Sequence, residues 1–226
     1  MTAPGAGEAR GALHEQFARI GRAVASPRRI ELVELLCQGE RTVESLARAT
    51  GMSITNTSQH LQVLKSARLV EARREGTRVY HRAADDHVCH FASELGAVAR
   101  ARLLEVERIA RDHLDGRDAL EPIRREELLA RLARRDVVVV DVRPAEEYRA
   151  GHVPGAISLP LPELERRLRR LSKDALIVAY CRGPYCLLAP QAVAILRSRG
   201  FRARRLEDGL PEWRAAGYPV SVEAAS

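Results

Sequence analysis

Two short apolar runs in the second half of the chain limit its fold more than any other feature. The segments Val137–Val142 and Leu176–Tyr180 largely lack the polar and apolar alternation of a half-exposed strand. Such runs indicate strands that are buried on both faces. A helical segment follows at Leu188–Arg199, and a further strand-like segment lies at Ala203–Leu206. The alternation of strands and helices therefore predicts an α/β domain with a parallel sheet.

The first half of the chain has helical periodicity instead. Ser26-Pro27 is a helix-start signal, and Thr42 and Ser53 are N-cap residues for two further helices that are separated by a short turn. The segment LVEARREGTRVYHRA then predicts a β-hairpin that turns at Glu75-Gly76. A helix-turn-helix followed by a basic hairpin is typical of a winged DNA-binding domain. The predicted fold class is thus a mainly α winged helix-turn-helix followed by an α/β domain.

The chain between these two halves predicts the domain limits. From Ala84 onward, helical periodicity continues for nearly thirty residues, and a helix of that length needs a partner for its apolar stripe. Gly116 and Pro122 among charged residues then indicate a boundary. We predict a disordered tail at 1–12, a DNA-binding and dimerisation domain at 13–113, a linker at 114–122 and the α/β domain at 123–222.

Composition and charge exclude several classes of protein. The 37 basic and 30 acidic residues give a formal charge of +7, which is weak evidence for nucleic-acid binding by itself. No apolar stretch approaches the roughly 18 residues that a membrane span requires. The first residues, MTAPGAGEARGAL, lack the features of a secretory signal, so we expect a cytoplasmic protein without membrane contact. Four cysteines without C-x-x-C spacing argue against a disulfide framework or a zinc ribbon.

The second helix of the helix-turn-helix carries hydrogen-bonding side chains on its predicted outer face. Helical projection puts Ile54, Ser58, Leu61 and Leu64 on the inner side of this helix. Asparagine and glutamine suit base edges in the major groove, and the hairpin arginines suit phosphates. The predicted DNA-binding residues are Ser53, Thr55, Asn56, Gln59, His60, Arg73, Arg74 and Arg78. The alternative is a solvated helix and hairpin in a protein-interaction module.

The segments SPRRIELVELL and GERTVESLARATGMSITNTSQHLQVLKSARLVEARREGTRVYHRA resemble the ArsR family of bacterial winged-helix repressors, over roughly residues 13–113. The resemblance implies a homodimer built on the first and last helices, which binds double-stranded operator DNA with two-fold symmetry and releases it when an inducer binds. Metal-sensing members place cysteines in the helix before the recognition helix, but Thr42–Thr50 contains none. The acidic and histidine residues near His87 do not match the other known ligand spacing. We therefore expect no metal site and no cofactor.

Cys37 and Cys89 lie in the second and the last predicted helices of this domain. Family members that respond to reactive sulfur carry one thiol in each of these helices, which makes the pair candidate regulatory thiols. The other interpretation is that both are small core residues. The position of Cys89 near its helix start leaves open whether it reaches Cys37.

Three blocks in the second half resemble the signatures of a single-domain rhodanese, over Leu120 to Val220. They are VVVVDVRPAEEYRAGHVPGAISLP, AYCRGPYC and GLPEWRAAGYPV. The resemblance implies a sulfurtransferase in which Cys181 is the nucleophile and carries a persulfide, with thiosulfate or polysulfide as sulfane-sulfur donor. Relatives that bind phosphate or arsenate have a longer loop that ends in arginine, whereas Leu187 stands at that position here. The loop therefore disfavours a phosphatase or an arsenate reductase.

The position of Cys181 predicts an activated thiol on physical grounds as well. It follows a buried strand and precedes a helix, so loop N–H groups and a helix N-terminus surround it and are expected to lower its pKa. The predicted loop residues are Arg182, Gly183, Pro184 and Tyr185. Cys186 is either a resolving thiol or a residue packed under the loop.

Three further residues of this half are predicted to be structural. Asp141 ends a buried strand, Arg143 is expected to pair with Glu146 or Glu147, and Trp213 is expected in the core. The whole sequence predicts a DNA-binding regulator, most simply a repressor, that senses reactive sulfur through a Cys181 persulfide. The alternative is a rhodanese-type sulfurtransferase whose winged helix serves dimerisation or autoregulation.

Overall fold

The computed structural model describes residues 6–110, 112 and 122–223. The chain divides into two compact units, Met1–Ala92 and Ser93–Ser226. The predicted linker at 114–122 lies outside the described residues except for Pro122, so the predicted domain limit there stays a prediction. Among the described residues, no helix has the length and apolarity that a membrane crossing requires.

The first unit is mainly helical. Its first four helices are α1 (Ala6–Val24), α2 (Pro27–Cys37), α3 (Val43–Thr50) and α4 (Ile54–Ser66). Thr42 and Ser53 cap α3 and α4 through side chains that accept the N–H of Ser45 and Asn56, as predicted. The tail prediction is wrong from residue 6 onward, where α1 begins. Alanine, glutamate and arginine in this segment are strong helix formers, which outweigh the glycines.

A three-stranded antiparallel sheet completes the wing of the first unit. Its strands are β1 (Arg41–Thr42), β2 (Val70–Glu75) and β3 (Arg78–Ala83), in the order β1-β3-β2. Because Glu75 pairs with Arg78, the two turn residues are Gly76 and Thr77, one position later than predicted. Gly76 has a φ of 61°, a left-handed conformation that glycine adopts at low cost.

The long helix predicted after Ala84 is two helices. They are α5 (Asp86–Arg102) and α6 (Leu104–Ala110), which leave Leu103 between them. Asp85 accepts the N–H of Val88 and so caps the start of α5. Neither glycine nor proline marks the break near Leu103, so periodicity alone predicted one helix. The boundary between the units falls inside α5, after Ala92.

The second unit contains a four-stranded parallel sheet with helices on its faces. Its strands are β4 (Val137–Asp141), β5 (Ile157–Ser158), β6 (Leu176–Tyr180) and β7 (Arg202–Arg205), in the order β5-β4-β6-β7. Its helices include α7 (Arg125–Arg134), α8 (Ala145–Ala150), α9 (Leu164–Arg167), α10 (Leu188–Ser198) and α11 (Leu210–Ala215). Every residue of β6 is buried, which confirms the interpretation of its apolar run.

Two hydrophobic clusters cover the two faces of this sheet. One contains Val140, Ile177 and Val193, and the other contains Val139, Val178 and Trp213. Successive residues of β4 and β6 belong to opposite clusters, because side chains alternate across a strand. The carboxyl ends of the parallel strands meet at one edge of the sheet. The Cys181 loop leaves from that edge.

Candidate functional site

Cys181 lies where the chain leaves the buried central strand β6. The residue is 3% exposed, and α10 begins seven residues later at Leu188, after the six-residue loop Cys181–Cys186 and Leu187. The Cys181 Sγ lies 3.5 Å from the carbonyl oxygen of Cys186 and 3.9 Å from that of Gly183. The N–H groups of Gly183 and Ala189 also approach this sulfur. The thiol is therefore held inside the curl of the loop, as expected from its place in the sequence.

The ionisation of the loop thiols differs from the expectation. Burial raises the pKa of the Cys181 thiol, and the neighbouring Cys186 raises it further. A hydrogen bond from Cys181 lowers the pKa of Cys186 to about 7, and the N–H groups of Arg182 and Leu188 act in the same direction. The predicted lowering for Cys181 is thus wrong, because desolvation outweighs the loop dipoles. Of the two thiols, Cys186 therefore ionises more readily than Cys181.

Arg182 is held next to the two thiols by a buried carboxylate. Its Nη2 and Nε donate to Glu147, with a shortest distance of 2.8 Å, and the Glu147 side chain is almost completely buried. The guanidinium stabilises the anionic form of Cys186 through its charge. The sequence motif contains Glu147, but nothing in the sequence indicates that it positions Arg182.

A buried polar network lies beneath the loop. Arg143 donates to the Asp141 carboxylate at 2.6 Å and to the carbonyl oxygen of Gly151 at 2.6 Å. The Tyr180 hydroxyl donates to Asp141 and accepts the N–H of Val153. Asp141 is thus the main partner of Arg143. The expected partner Glu147 is farther away, at 4.0 Å. Each buried charge is paired, so the network fixes the strand ends.

The segment that leads into α11 packs directly on the Cys181 loop. A Cβ at Gly209 would lie 2.3 Å from the Gly183 nitrogen and 2.5 Å from the Arg182 carbonyl oxygen, so only glycine fits. The Leu210 N–H donates to the carbonyl oxygen of Cys181. A Cβ at Gly183, by contrast, would make an ordinary contact with Glu212, and Gly183 has no positive φ. The position in this site that requires glycine is therefore Gly209.

Tyr185 extends from the loop to the part of α5 that belongs to the second unit. Its hydroxyl donates to the carbonyl oxygen of Gly96 at 3.2 Å, and the Arg100 guanidinium lies 6.0 Å from its ring. The Ser93 hydroxyl donates to Glu212, which also accepts the N–H of Gly209. These contacts join segments about 90 to 120 residues apart in the chain. No sequence signal indicates them.

The recognition helix α4 presents the predicted polar face to solvent. Thr55, Asn56 and Gln59 are exposed, and His60 lies at the margin. The inward assignment is wrong for Ile54, which is 53% exposed, whereas Thr57 is fully buried and donates to the carbonyl oxygen of Ser53. Leu61 and Leu64 are buried as expected. The hydroxyl of Ser53 serves as the helix cap.

The wing arginines fall into two groups. Arg73 pairs with Glu40 and Glu75, and Arg82 pairs with Glu71 at 2.7 Å. Arg78 and Arg74 are exposed; the Arg74 Nε donates to the carbonyl oxygen of Gly76. Arg78 has no ion pair among the described residues. The positive charge available for a phosphate is therefore greatest at the tip of the hairpin.

Cys37 and Cys89 are joined by a disulfide between α2 and α5. Their Cα atoms are 5.6 Å apart, so the start of α5 does lie within bonding reach of α2. Both residues belong to the first unit, and Cys37 is buried. Within residues 6–110, 112 and 122–223, no cluster of three or more His, Cys, Asp or Glu side chains is arranged to hold a metal ion.

Comparison with known proteins adds evidence on both halves. The protein-family model described as "Bacterial regulatory protein, arsR family" matches residues 26–72. The protein-family model of a rhodanese-like domain matches residues 124–216. The HTH-type transcriptional regulator Rv0324 of Mycobacterium tuberculosis is 50% identical over 220 residues, which cover 97% of this chain and 96% of that protein.

Two other relatives each match one half. A sulfurtransferase of Allochromatium vinosum is 35% identical over 97 residues, which cover 42% of this chain and 89% of that protein. The solution structure of the homodimeric winged helix-turn-helix DNA-binding domain Mb0332 from Mycobacterium bovis is 48% identical, with a TM-score of 0.41. The match covers 46% of this chain and 94% of the Mycobacterium bovis chain.

Proposed function

The chain belongs to the ArsR-family transcriptional regulators that carry a C-terminal rhodanese domain, and from this premise we propose that it senses reactive sulfur through Cys181. The observation that carries the proposal is the thiol pair in the loop after β6, in the same chain as a DNA-binding unit. The sensing unit would take up sulfane sulfur, and the winged helix would change its affinity for operator DNA.

The exposed groups of the first unit support operator binding. Asn56 and Gln59 present amides that match the hydrogen-bonding pattern of adenine in the major groove. Arg74 and Arg78 supply charge for phosphates at the hairpin tip, and Thr55 lies on the same face of α4 as Asn56. We assign base reading to α4 and backbone contacts to the hairpin. A protein that binds operator DNA in this way would act in the cytoplasm.

Exposed apolar side chains in the first unit support a homodimer. Leu13 and Phe17 on α1 are 57% and 66% exposed, and Phe91 on α5 is 38% exposed. A second copy of the chain that covers these residues would remove apolar surface from water. Two copies related by a two-fold axis would read a two-fold symmetric operator.

The proposed sensing reaction is sulfur transfer to Cys181. With thiosulfate as donor, the Cys181 thiolate attacks the sulfane sulfur, a bond to that sulfur forms, and sulfite leaves with the electron pair of the broken S–S bond. We assign the removal of the Cys181 proton to the neighbouring Cys186, whose pKa is lowered to about 7. With polysulfide, the leaving group is the shortened polysulfide. The resulting persulfide lies next to N–H groups of the loop, which stabilise an anion.

The Cys37–Cys89 pair is the proposed output of the sensor. It joins α2, which packs against α3 and α4, to the start of α5. Attack by hydrosulfide on this disulfide would leave one cysteine as a persulfide and release the other as a thiolate. Loss of the bond between these helices would alter how α4 is held, and thus how the protein binds DNA. Because α5 continues from Cys89 into the second unit, the same helix carries residues of both units.

The test measures operator affinity and intact mass of the full chain, with and without polysulfide. We expect a gain of about 32 Da for each sulfur atom that stays bound, together with loss of operator affinity. Cys181→Ser should abolish sulfur uptake in the second unit and operator release, while the variant keeps its fold. The double variant Cys37→Ser/Cys89→Ser should take up sulfur at Cys181 and keep the operator bound. Sulfur uptake with unchanged affinity would contradict the sensor.

A second candidate function is a sulfurtransferase enzyme. The 35% identity of the second unit to a sulfurtransferase and the six-residue loop from Cys181 favour it. An enzyme would turn over thiosulfate and cyanide continuously, and this turnover would require Cys181. Steady turnover in a protein whose operator affinity is indifferent to sulfur would select this function over sensing.

A further inference from the structure

The loop holds a second free thiol, Cys186, five residues after Cys181. Cys181 and Cys186 both carry free thiols, and the Cys181 Sγ lies 3.5 Å from the carbonyl oxygen of Cys186. The Cys186 side chain packs against the same hydrophobic cluster that includes Cys181, so both thiols belong to one packed loop. Rhodanese chemistry as proposed above needs only one of them.

The surroundings of Cys186 are those of a nucleophile. N–H groups of Arg182 and Leu188 point at its sulfur, and the Arg182 guanidinium adds a positive charge that Glu147 holds in place. These contacts and the Cys181 hydrogen bond lower the pKa of Cys186 to about 7. The lowered pKa favours the thiolate of Cys186, and thiolate is the reactive form.

We propose that Cys186 resolves the Cys181 persulfide by attacking the inner sulfur, which closes a Cys181–Cys186 disulfide and releases sulfide. This inference rests on the sulfur uptake by Cys181 that the proposed function assigns. It deepens that function, because it makes the loop a device that converts sulfane sulfur into sulfide and a protein disulfide.

The step balances without an external oxidant. The Cys186 thiolate forms a bond to Cys181 Sγ, the bond between Sγ and the outer sulfur breaks, and hydrosulfide leaves with the electron pair. The outer sulfur is reduced to sulfide, and the two cysteine sulfurs are oxidised to the disulfide. A low-molecular-weight thiol in the cell returns the loop to its dithiol form by exchange.

Contact geometry favours the inner sulfur over the outer one. The carbonyl oxygen of Cys186 lies 3.5 Å from the Sγ of Cys181, which becomes the inner sulfur of the persulfide, so the loop already holds Cys186 next to that atom. Attack on the outer sulfur would instead move it to Cys186 without releasing sulfide. The two routes give different products, so they are distinguishable by experiment.

The experiment uses the full reduced chain in the Cys37→Ser/Cys89→Ser background, which leaves only the loop thiols. The protein is loaded with thiosulfate and freed of donor by rapid desalting, and sulfide and intact mass are then followed without reductant. We expect release of about one sulfide per chain, and a final mass about 2 Da below that of the dithiol. With Cys186→Ser added, the gain of about 32 Da should persist and sulfide release should fall at least about tenfold.

Peptide mapping of the unsubstituted chain provides a second readout that does not depend on the background folding. Trypsin cuts after Lys173, Arg182 and Arg197, so Cys181 and Cys186 fall on separate peptides. The proposed disulfide would join 174–182 to 183–197 after thiosulfate treatment. Cys181→Ser treated in the same way should give no such linked pair.

The outcomes separate the two proposals. A stable persulfide on Cys181 in both the parent and Cys186→Ser would overturn this inference and leave the proposed function intact. A persulfide found on Cys186 without sulfide release would also overturn it. No sulfur gain even with Cys186→Ser would count against both proposals, because Cys181 would not be a sulfur acceptor.

Discussion

At the scale of single residues, arginines that carry the same charge differ in how available they are to a phosphate. Arg82 and Arg78 both lie on β3 of the hairpin, but Glu71 pairs with Arg82, while Arg78 has no ion pair among the described residues. A phosphate must displace the glutamate to reach Arg82, whereas it meets Arg78 directly. The side chains of α4 differ from these arginines in their expected role. The amides of α4 suit base edges, whereas the guanidinium groups of the hairpin suit the phosphate backbone.

We predict that Gln59→Ala costs about 1–3 kcal/mol on the operator and little on random DNA. Arg78→Ala should weaken binding to both, and reduce the slope of log affinity against log salt by about one unit. Arg82→Ala is the matched control, and its salt slope should change less. Fluorescence anisotropy over a salt series measures all three. Equal losses on specific and random DNA for Gln59→Ala would remove this residue from base reading.

At the scale of elements, the loop geometry depends on the segment that enters α11. Gly209 lies so close to the backbone of Arg182 and Gly183 that the two segments behave as one packed layer. The buried Asp141, Arg143 and Tyr180 network holds the adjoining strand ends from below. The reactive loop is therefore fixed from two sides, by backbone packing and by buried hydrogen bonds.

We predict that Gly209→Ala destabilises the second unit by about 1–3 kcal/mol or more, because the added Cβ meets backbone atoms that have no room to move. Sulfur uptake at Cys181 should fall along with stability. Gly183→Ala, whose Cβ would contact only Glu212, should change the denaturation midpoint much less. Urea denaturation and thiosulfate loading measure the two effects. Equal midpoints for the two variants would contradict the packing argument.

The sequence predicted the elements better than their contacts. Cap residues and apolar runs act locally, so the helix starts after Thr42 and Ser53 and the strand after Asp174 could be located. The pairing of Arg182 with Glu147 could not be predicted, because it depends on how distant segments pack. The ionisation of Cys181 was predicted in the wrong direction, since loop dipoles are visible in a sequence and the depth of burial is not.

At the scale of the whole molecule, the exposed apolar residues of α1 remain unexplained by a single chain. Burying a phenylalanine or leucine side chain is worth about 1.5–3 kcal/mol, and Leu13 and Phe17 both expose more than half of their surface. The proposed second copy of the chain would cover these residues. DNA reading then depends on assembly, because two recognition helices on one operator bind more tightly than one.

We predict that Phe17→Glu shifts the protein from dimer to monomer and reduces operator affinity at least about tenfold, since a charge would enter the apolar interface. Val222→Glu is the matched control, because Val222 is 67% exposed and Phe17 is 66% exposed. The control should remain dimeric and bind the operator normally. Analytical ultracentrifugation determines the assembly. A monomeric wild-type protein at micromolar concentration would contradict the prediction.

The disulfide between Cys37 and Cys89 also bears on how long the protein persists in a cell. It closes a loop of 52 residues that includes α3, α4 and the hairpin. Restricting the unfolded chain over that length is worth about 4 kcal/mol in a chain-entropy treatment, a large part of the usual stability of a domain. Proteases degrade mainly the unfolded form. The oxidised regulator would therefore be degraded more slowly than the reduced one, so its abundance would follow the sulfur status of the cell.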